Sequence, residues 1–552
     1  MKNLLKRPRF RQTWTGKMPR NEELAALDGD WYEQQLGQAE RRRRGHYSTP
    51  PELVARMLDW VGYRAGADLE HLTLLDPACG VGNFLAGAAK TLLAHGRACQ
   101  WSARRTLAAL QANLWGLEMD PAACALAEMR LRALARSLAP GQRLHFHLHQ
   151  ADALALPAAP RYMVVVGNPP YLAARHHNLQ PYQRSYLSSG QRDAYLLFVE
   201  QACRFVAPEG WLGLVLPDPM LARGNATDAR RLLLERFTVK RLLHLEGVFR
   251  ADVGTLVLIA RRAAQPQHYT IPWTRQDWRH AGPGKDGLSG TLSVEIWKQQ
   301  PRAELRYLLG PVEAALFERL ACEMPSAPLG EMVSISRGEE IARGAVLSAA
   351  AGDTSLLPVL RGGLDVRPFR CRFAGVYLRR EQVAKPLERY QAPKLLAVKS
   401  TSLLTAALDV QGYVAVQTLY LLHPKTPQCS PGYVLALLNS RLLRGYLWLH
   451  YTAYKLMLPQ IEQEALARVP IPLAAAAQQA ELAELADHLR QCYQEQDALA
   501  AKTGDACANE AAWIQLEQVI ATLCARLDAS VARLCGLSAA EQALLERLPA
   551  TK

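Results

Sequence analysis

Residues 72–85 read L-T-L-L-D-P-A-C-G-V-G-N-F-L, and this stretch decides the fold of the N-terminal half. Its first residues predict a buried strand that ends at Asp76. Gly80 and Gly82 permit a tight turn, and the apolar residues from Phe84 onward predict a helix. A strand, a glycine-rich loop and a helix in this order place a ligand at the carboxyl edge of an α/β sheet.

The spacing around this loop argues against a nicotinamide site. Dinucleotide-binding loops carry a third glycine and an acid about 20 residues later. Here the third glycine is missing, and the next predicted strand, L-W-G-L-E, ends much later at Glu118. Glu118 is placed to bind ribose hydroxyls, with a surface carboxylate as the alternative. A third predicted strand ends at Asp152, where the amino group of a nucleoside would need an acceptor.

The stretch V-V-V-G-N-P-P-Y at residues 164–171 carries the candidate chemistry. The valines predict a buried strand, and Pro169 and Pro170 then keep the backbone extended and stiff. The side-chain oxygen of Asn168 and the carbonyl of Pro169 can accept both hydrogens of a planar –NH2 group, which re-aims its lone pair at an electrophile. Tyr171 offers a flat face for stacking. An ordinary strand-to-loop turn is the alternative interpretation.

With Y-S-T-P-P at residues 47–51, these stretches resemble the motifs of gamma-type N6-adenine DNA methyltransferases that use S-adenosylmethionine. The resemblance covers about residues 45–472 and is most specific in the N-terminal half. It implies an α/β, Rossmann-like, seven-stranded S-adenosylmethionine methyltransferase fold. It also implies a C-terminal mixed α/β DNA-recognition domain and a helical tail.

The resemblance further implies roles for individual residues. The catalytic residues would be Asn168, Pro169, Pro170, Tyr171 and, as a second stacking ring, Phe249. The residues that would bind S-adenosylmethionine are Thr49, Asp76, Ala78, Gly80, Gly82, Glu118, Asp152 and Phe198. Packing in the core is the alternative for the two phenylalanines. Independently of the resemblance, Thr49 is a plausible N-cap of the helix that follows it.

Composition limits the classes of function. Lys and Arg exceed Asp and Glu by 65 to 51, a net charge of +14 that favours a polyanionic partner. The eleven cysteines contain no C-x-x-C pair, which argues against zinc and disulfides and for a reducing cytoplasm. The histidines of L-H-F-H-L-H lack a fourth ligand, so no metal site is predicted. No signal peptide or membrane span is apparent.

The chain predicts five segments: a basic arm (1–44), a catalytic domain (45–265), a connector (266–325), a target-recognition domain (326–472) and a helical C-terminal region (473–552). The arm is either solvated or in contact with phosphates. The candidate DNA contacts in the recognition domain are Arg337, Arg343, Arg361, Lys394, Lys399 and Lys455.

The resulting hypothesis is methylation of the N6 amino group of an adenine that is flipped out of duplex DNA. The expected partners are double-stranded DNA and a cognate restriction endonuclease or defence-system subunits. Because the motif selects a planar –NH2 group and not the molecule that carries it, RNA adenine and protein glutamine remain alternatives. A DNA-binding subunit of a defence complex is the alternative outside the enzymes.

Overall fold

The computed structural model describes residues 31, 32, 34, 47–142, 144–157, 159–172, 182, 193–249, 254–280, 287–342, 347–348, 355–426, 429–456, 459–501 and 506–547. Most of the basic arm and the candidate contact Arg343 lie outside these residues. The chain divides into two compact units, Met1–Tyr307 and Leu308–Lys552. Within the described ranges, no helix combines the length and the apolar character needed to cross a membrane.

One sheet organises the described part of the N-terminal unit, with its strands in the order β3-β2-β1-β4-β5-β7-β6-β8-β9. The strands are β1 (Leu74–Asp76), β2 (Leu114–Glu118), β3 (His147–Gln150), β4 (Tyr162–Gly167), β5 (Val206–Pro217), β6 (Thr238–Glu246), β7 (Thr255–Arg261), β8 (Thr270–Asp277) and β9 (Leu288–Ser293). Strand β7 is antiparallel to β5 and β6, and β9 is antiparallel to β8. The other neighbouring pairs are parallel. The carboxyl ends of β1 to β4 therefore meet at one edge.

Helices flank this sheet: α1 (Pro51–Trp60), α2 (Asn83–Ala98), α3 (Ala103–Asn113), α4 (Pro121–Ala135), α5 (Ala194–Phe205), α6 (Pro219–Ala222), α7 (Thr227–Arg236) and α8 (Val294–Gln299). Helix α1 buries Leu53 and Met57, the spacing of an amphipathic helix. The N-cap prediction for Thr49 is wrong: Pro50 occupies that position, and no side chain caps the helix. Pro51 at the first turn needs no cap of its own, since it has no N–H.

The fold prediction is confirmed, and the sheet extends beyond the seven expected strands. Strands β8 and β9 come from the segment that the sequence predicts to be a connector. In β8 only Ile271 is fully buried and the other side chains are mostly half-exposed, although β8 lies between β6 and β9. Such a strand lacks clean apolar alternation, so its sequence gives a weak strand signal.

The C-terminal unit is a mixed α/β module, as predicted. Its larger sheets have the orders β11-β20-β17-β18 and β12-β16-β13-β19, and β10-β21 and β14-β15 form two small ones. The strands are β10 (Ser326–Pro328), β11 (Val333–Arg337), β12 (Leu347–Ser348), β13 (Leu356–Leu360), β14 (Val366–Arg367), β15 (Arg370–Cys371), β16 (Val376–Arg379), β17 (Lys394–Val398), β18 (Ala406–Asp409), β19 (Val414–Ala415), β20 (Leu419–Pro424) and β21 (Pro470–Pro472). The strands pack around a separate apolar core that includes Leu396 and Leu421.

The helices of this unit include two long ones near the C-terminus. In order they are α9 (Pro311–Glu318), α10 (Leu329–Met332), α11 (Gly362–Asp365), α12 (Pro431–Asn439), α13 (Arg441–His450), α14 (Gln463–Ala467), α15 (Ala476–Ala501), α16 (Ala506–Leu534) and α17 (Ala539–Glu546). The helical tail of the fold prediction corresponds to α15 to α17.

Candidate functional site

Asp76 lies at the carboxyl end of β1, where its side chain is almost completely buried. Its Oδ1 accepts a hydrogen bond of 3.1 Å from the Ala78 N–H. A Cβ atom on Gly167 would lie 2.8 Å from this oxygen. The glycine that ends V-V-V-G is therefore required by the close approach of the Asp76 carboxylate.

Glu118 joins the loops that follow β1 and β2. Its Oε2 accepts from the Gly80 N–H and its Oε1 from the Asp120 N–H, both at 2.8 Å. Burial raises the pKa of Glu118 to about 6, although these hydrogen bonds act in the opposite direction. Burial also raises the pKa of Asp76 to about 8, and the charge of Glu118 adds to the increase. The two carboxyl groups therefore sit where a cation would be favourable.

A cavity of about 390 Å³ opens above these loops. Its volume falls in the range of small-molecule and cofactor sites. Eight residues that the sequence predicts for the site line it: Thr49, Asp76, Ala78, Gly80, Glu118, Asn168, Pro170 and Phe198. The structure thus brings together one loop from each of several consecutive strands.

Two predicted cofactor residues are not part of the lining. Gly82 is the N-cap of α2 with a φ of 80°, and a Cβ atom there would lie 3.0 Å from the Ala127 Cβ. The neighbours of Asp152 line the cavity, but its own carboxylate caps a short turn by accepting from the Leu154 N–H at 3.0 Å. The Tyr182 hydroxyl donates to its other oxygen. Asp152 therefore supports the loop in this structure.

The side chain of Asn83 ties the glycine loop to residues 47–49. Its Nδ2 donates to the Ser48 Oγ at 2.7 Å and to the Thr49 carbonyl at 2.9 Å. Its Oδ1 accepts at 2.8 Å from Arg130, whose Nη1 also donates to the Val81 carbonyl at 2.6 Å. The Thr49 Oγ1 is buried without a hydrogen-bond partner in the described part of the chain. This hydroxyl is available to a ligand in the cavity.

The orientation of the Asn168 amide is fixed by a single contact. Its Nδ2 donates to the Tyr47 carbonyl at 2.7 Å. The opposite atom, Oδ1, is buried and has no hydrogen-bond partner among the described residues. Because the carbonyl can only accept, the amide cannot flip without losing the bond. The unpaired acceptor that the chemistry of an –NH2 group requires is therefore present and aimed by the backbone.

Three aromatic rings cluster beside Asn168. The Tyr171 and Phe249 rings meet edge to face, with centroids 6.3 Å apart and an interplanar angle of 82°. The Tyr47 ring lies 6.0 Å from Tyr171 and 5.8 Å from Phe249. The two rings predicted to sandwich a base are thus in mutual contact here. Tyr47 is a residue that the sequence reasoning missed, although it begins the quoted Y-S-T-P-P motif.

The basic residues predicted to contact DNA have different surroundings in the C-terminal unit. Lys394 is a correction: its side chain is fully buried, and its Nζ bonds to Asp409 at 2.5 Å and to the Tyr390 carbonyl at 2.6 Å. A charge there has to be neutralised within the core. Arg361 makes a bidentate pair with Asp365 at 2.9 and 3.0 Å.

The other three predicted contacts remain at the surface. Arg337 pairs with Glu340 at 2.8 Å, and Lys455 pairs with Glu462 at 3.2 Å. Lys399 is half-buried, and no partner of its ammonium group is found within the described ranges. In the same ranges, no group of His, Cys, Asp and Glu side chains could hold a metal ion.

Two family models match the chain. Residues 25–271 match the N-6 DNA methylase model, and residues 357–471 match the TaqI-like C-terminal specificity domain. Together they cover the site described above and most of the strands of the C-terminal module. These matches confirm the resemblance to N6-adenine DNA methyltransferases that the motifs indicated.

Curated relatives and a solved structure agree with these matches. Type II methyltransferase M.BstVI of Geobacillus stearothermophilus is 24% identical over 227 residues, 38% of this chain and 40% of the relative. Type II methyltransferase M.VspI of Vibrio sp. (strain 343) is 23% identical over 248 residues, 44% of this chain and 54% of the relative. The chain therefore matches only about half of these relatives' length.

The fold resembles that of the type IIL restriction-modification enzyme MmeI, solved in complex with DNA. The TM-score is 0.59 with 11% identity, over 94% of this chain and 79% of that one. At this identity the likeness concerns the fold alone. The motifs, the site and the family models lead to one conclusion: the chain carries an N-6 DNA methylase domain, matched over residues 25–271, and a TaqI-like C-terminal specificity domain, matched over residues 357–471.

Proposed function

We propose that this protein is a site-specific DNA methyltransferase that methylates the N6 amino group of adenine in duplex DNA. The N-6 DNA methylase match, the specificity domain and the net charge of +14 support DNA as the substrate. Restriction-modification, with a cognate endonuclease or other defence subunits as partners, is the proposed setting. The names of the curated relatives support that setting.

The observation that carries the proposal is the orientation of Asn168. With its Nδ2 held by the Tyr47 carbonyl, its Oδ1 is left as a buried acceptor at the cavity. A buried acceptor without a partner is unfavourable, so a substrate N–H that reaches it stabilises the complex. The Pro169 carbonyl accepts the second hydrogen of the amine. The nitrogen lone pair is then directed away from the aromatic ring.

The residues of the cavity fit S-adenosylmethionine. Each Glu118 oxygen has a lone pair left for a ribose hydroxyl, and the unpaired Thr49 Oγ1 can bond the methionine end. Asp76 and Glu118 favour a positive charge. When bound, this cofactor supplies an electrophilic methyl group. The protein contributes position and orientation, which dominate such transfers.

Adenine must leave the base stack to reach Asn168. The Tyr171 and Phe249 rings supply apolar faces for it, and they have to separate because they now touch edge to face. Tyr47 contacts both rings and has to move with them. We therefore place the base between Tyr171 and Phe249, as the motifs imply.

The test is transfer of labelled methyl groups from S-adenosylmethionine to unmethylated genomic DNA, followed by digestion to nucleosides. Wild-type protein should yield N6-methyladenine. Asn168→Ala should lower the turnover number by about 10²–10³-fold, the usual effect of removing one oriented polar group from an active site, with cofactor binding retained. Gln111→Ala removes an amide whose bond to the His145 carbonyl lies outside the cavity, and it should leave turnover unchanged.

Other products would redirect the assignment. Methylated RNA adenine or protein glutamine, without methylated DNA, would reject the DNA substrate while retaining the role of Asn168. Cofactor binding without transfer to any of these substrates would contradict a stand-alone enzyme. DNA binding without cofactor binding would favour a recognition subunit.

A further inference from the structure

Both backbone polar groups of Lys399, in the C-terminal unit, form hydrogen bonds. It follows β17 directly, and its N–H donates to the Thr418 carbonyl at 2.9 Å. Its own carbonyl accepts from the Ile461 N–H at 2.8 Å. The strand before it is buried, so the start of this side chain is fixed by the core. The side chain of Lys399 therefore starts from a fixed backbone position.

Arg337 is anchored next to the first residue that bonds the Lys399 backbone. It ends β11, and its Nε donates to the Gln417 carbonyl at 3.1 Å. Gln417 directly precedes Thr418, the residue that bonds the Lys399 backbone. The guanidinium also pairs with Glu340 at 2.8 Å. This cation is therefore both positioned and neutralised.

Lys455 is anchored next to the second residue that bonds the Lys399 backbone. Its Nζ donates to the Gln460 carbonyl at 2.8 Å and pairs with Glu462 at 3.2 Å. Gln460 and Glu462 flank Ile461, the second residue that bonds the Lys399 backbone. Lys455 thus repeats the arrangement of Arg337, with one carboxylate and one carbonyl for each cation.

Lys399 alone of these three cations lacks a carboxylate partner among the described residues. Burial lowers its pKa, repulsion from Arg337 and Lys455 lowers it further, and Glu340 and Glu462 act in the opposite direction. The charged ammonium group is therefore less favourable here than in water. An anion bound at this place would relieve both the burial and the repulsion.

We propose that Lys399, flanked by Arg337 and Lys455, binds a backbone phosphate of DNA. The inference rests on the proposed function, since it takes DNA as the polyanion. A phosphate suits this place because the lysine ammonium binds phosphate as a compact point charge and lacks the planar fork of arginine. Among the predicted DNA contacts that the structure describes, Lys399 is the one whose charge is not paired with a carboxylate.

The test measures DNA affinity by fluorescence anisotropy over a series of salt concentrations, using two labelled duplexes. One carries the site located by sequencing the genomic DNA methylated in the transfer assay, and the other carries a scrambled version of it. For Lys399→Gln we expect the slope of log K against log salt to become smaller in magnitude by about 0.9. Affinity should fall by the same factor for both duplexes, because a phosphate contact carries no sequence information. Lys399→Arg keeps the charge and should keep the slope.

Lys425→Gln is the matched control. It removes one lysine charge from the same unit, at an exposed position where the ammonium donates to the Gly330 carbonyl. Its slope should equal that of the wild type. The melting temperature of Lys399→Gln should not fall, since the substitution removes a repelled charge, and this separates lost binding from lost folding.

Three outcomes would overturn the inference. An unchanged slope in Lys399→Gln would show that no phosphate is bound there. Loss of discrimination between the duplexes with an unchanged slope would assign Lys399 to a base. Wild-type protein that binds neither duplex would reject the DNA substrate itself, and this result differs from the first two because the control variant would also fail to bind.

Discussion

The two units differ in how closely the structure brings together the residues that the sequence predicts for a site. At the sheet edge of the N-terminal unit, six of the eight predicted cofactor residues line one cavity. In the C-terminal unit, Lys394 is buried, and Arg361, Arg337 and Lys455 each pair with a carboxylate. Backbone geometry fixes the first region, because the carboxyl ends of parallel strands must meet. The second depends on side-chain surroundings, which single residue types do not reveal.

The largest expected effect concerns Lys394, which tests whether this cation serves stability and not DNA. Lys394→Ala leaves Asp409 buried without its partner, which should lower the free energy of unfolding by about 3–5 kcal/mol. Urea unfolding measures this difference. Lys425→Ala, at an exposed position, should change it by less than about 0.5 kcal/mol. A Lys394 variant that is stable but deficient in DNA binding would support the prediction from the sequence that Lys394 contacts DNA.

A smaller effect is expected at Asn83, which joins the glycine loop to residues 47–49. Asn83→Asp keeps an acceptor for Arg130 but removes both donors to Ser48 and Thr49. The segment that orients Asn168 through the Tyr47 carbonyl is then loosened. We expect the turnover number to fall about tenfold, within the usual effect of losing buried hydrogen bonds, and the cofactor dissociation constant to change less.

Steady-state kinetics and calorimetry separate these two quantities. Ser102→Ala, which removes the cap of α3, provides a control of similar local effect far from the cavity. If the cofactor dissociation constant of Asn83→Asp rises as much as turnover falls, Asn83 only binds the cofactor. If neither the turnover number nor the dissociation constant changes, the hydrogen bonds of Asn83 do not affect catalysis through Asn168.

The smallest effect is a pH dependence of cofactor binding. The pKa values of Asp76 and Glu118 are raised to about 8 and about 6. Both carboxyl groups therefore lose protons as the pH rises from about 6 to about 8. A cationic ligand favours their charged forms, and its binding therefore releases protons. Affinity for S-adenosylmethionine should rise between about pH 6 and pH 8, by at most about tenfold per pH unit for each proton released.

S-adenosylhomocysteine is the natural comparison because it lacks the sulfonium charge. Its affinity should rise less over the same range, as calorimetry at several pH values can measure. Equal pH dependence for both ligands would mean that the two carboxyl groups do not respond to that charge.

The motifs predicted local conformation and the order of the sheet edge. Asp76, Glu118 and Asn168 could be placed from sequence because each follows a predicted strand, and parallel strands bring their carboxyl ends together. The loop with Gly80 and Gly82 also follows from local backbone geometry, with φ values of 53° and 80°. The same reasoning puts Asp152 at this edge, but its hydrogen bonds with Leu154 and Tyr182 could not be predicted from the sequence.

Sequence alone therefore determined the fold class, the glycine loop and the position of N-P-P-Y directly after a buried strand, which depend on residues close together in the chain. Tertiary structure decided which way the Asn168 amide points, that Gly167 must leave room for Asp76, and that Lys394 is a core residue. It also left Lys399 without a carboxylate partner in the part of the chain that the structure describes. These features depend on atoms brought together from distant parts of the chain. Burial and partner choice are properties of that assembly, and no local pattern contains them.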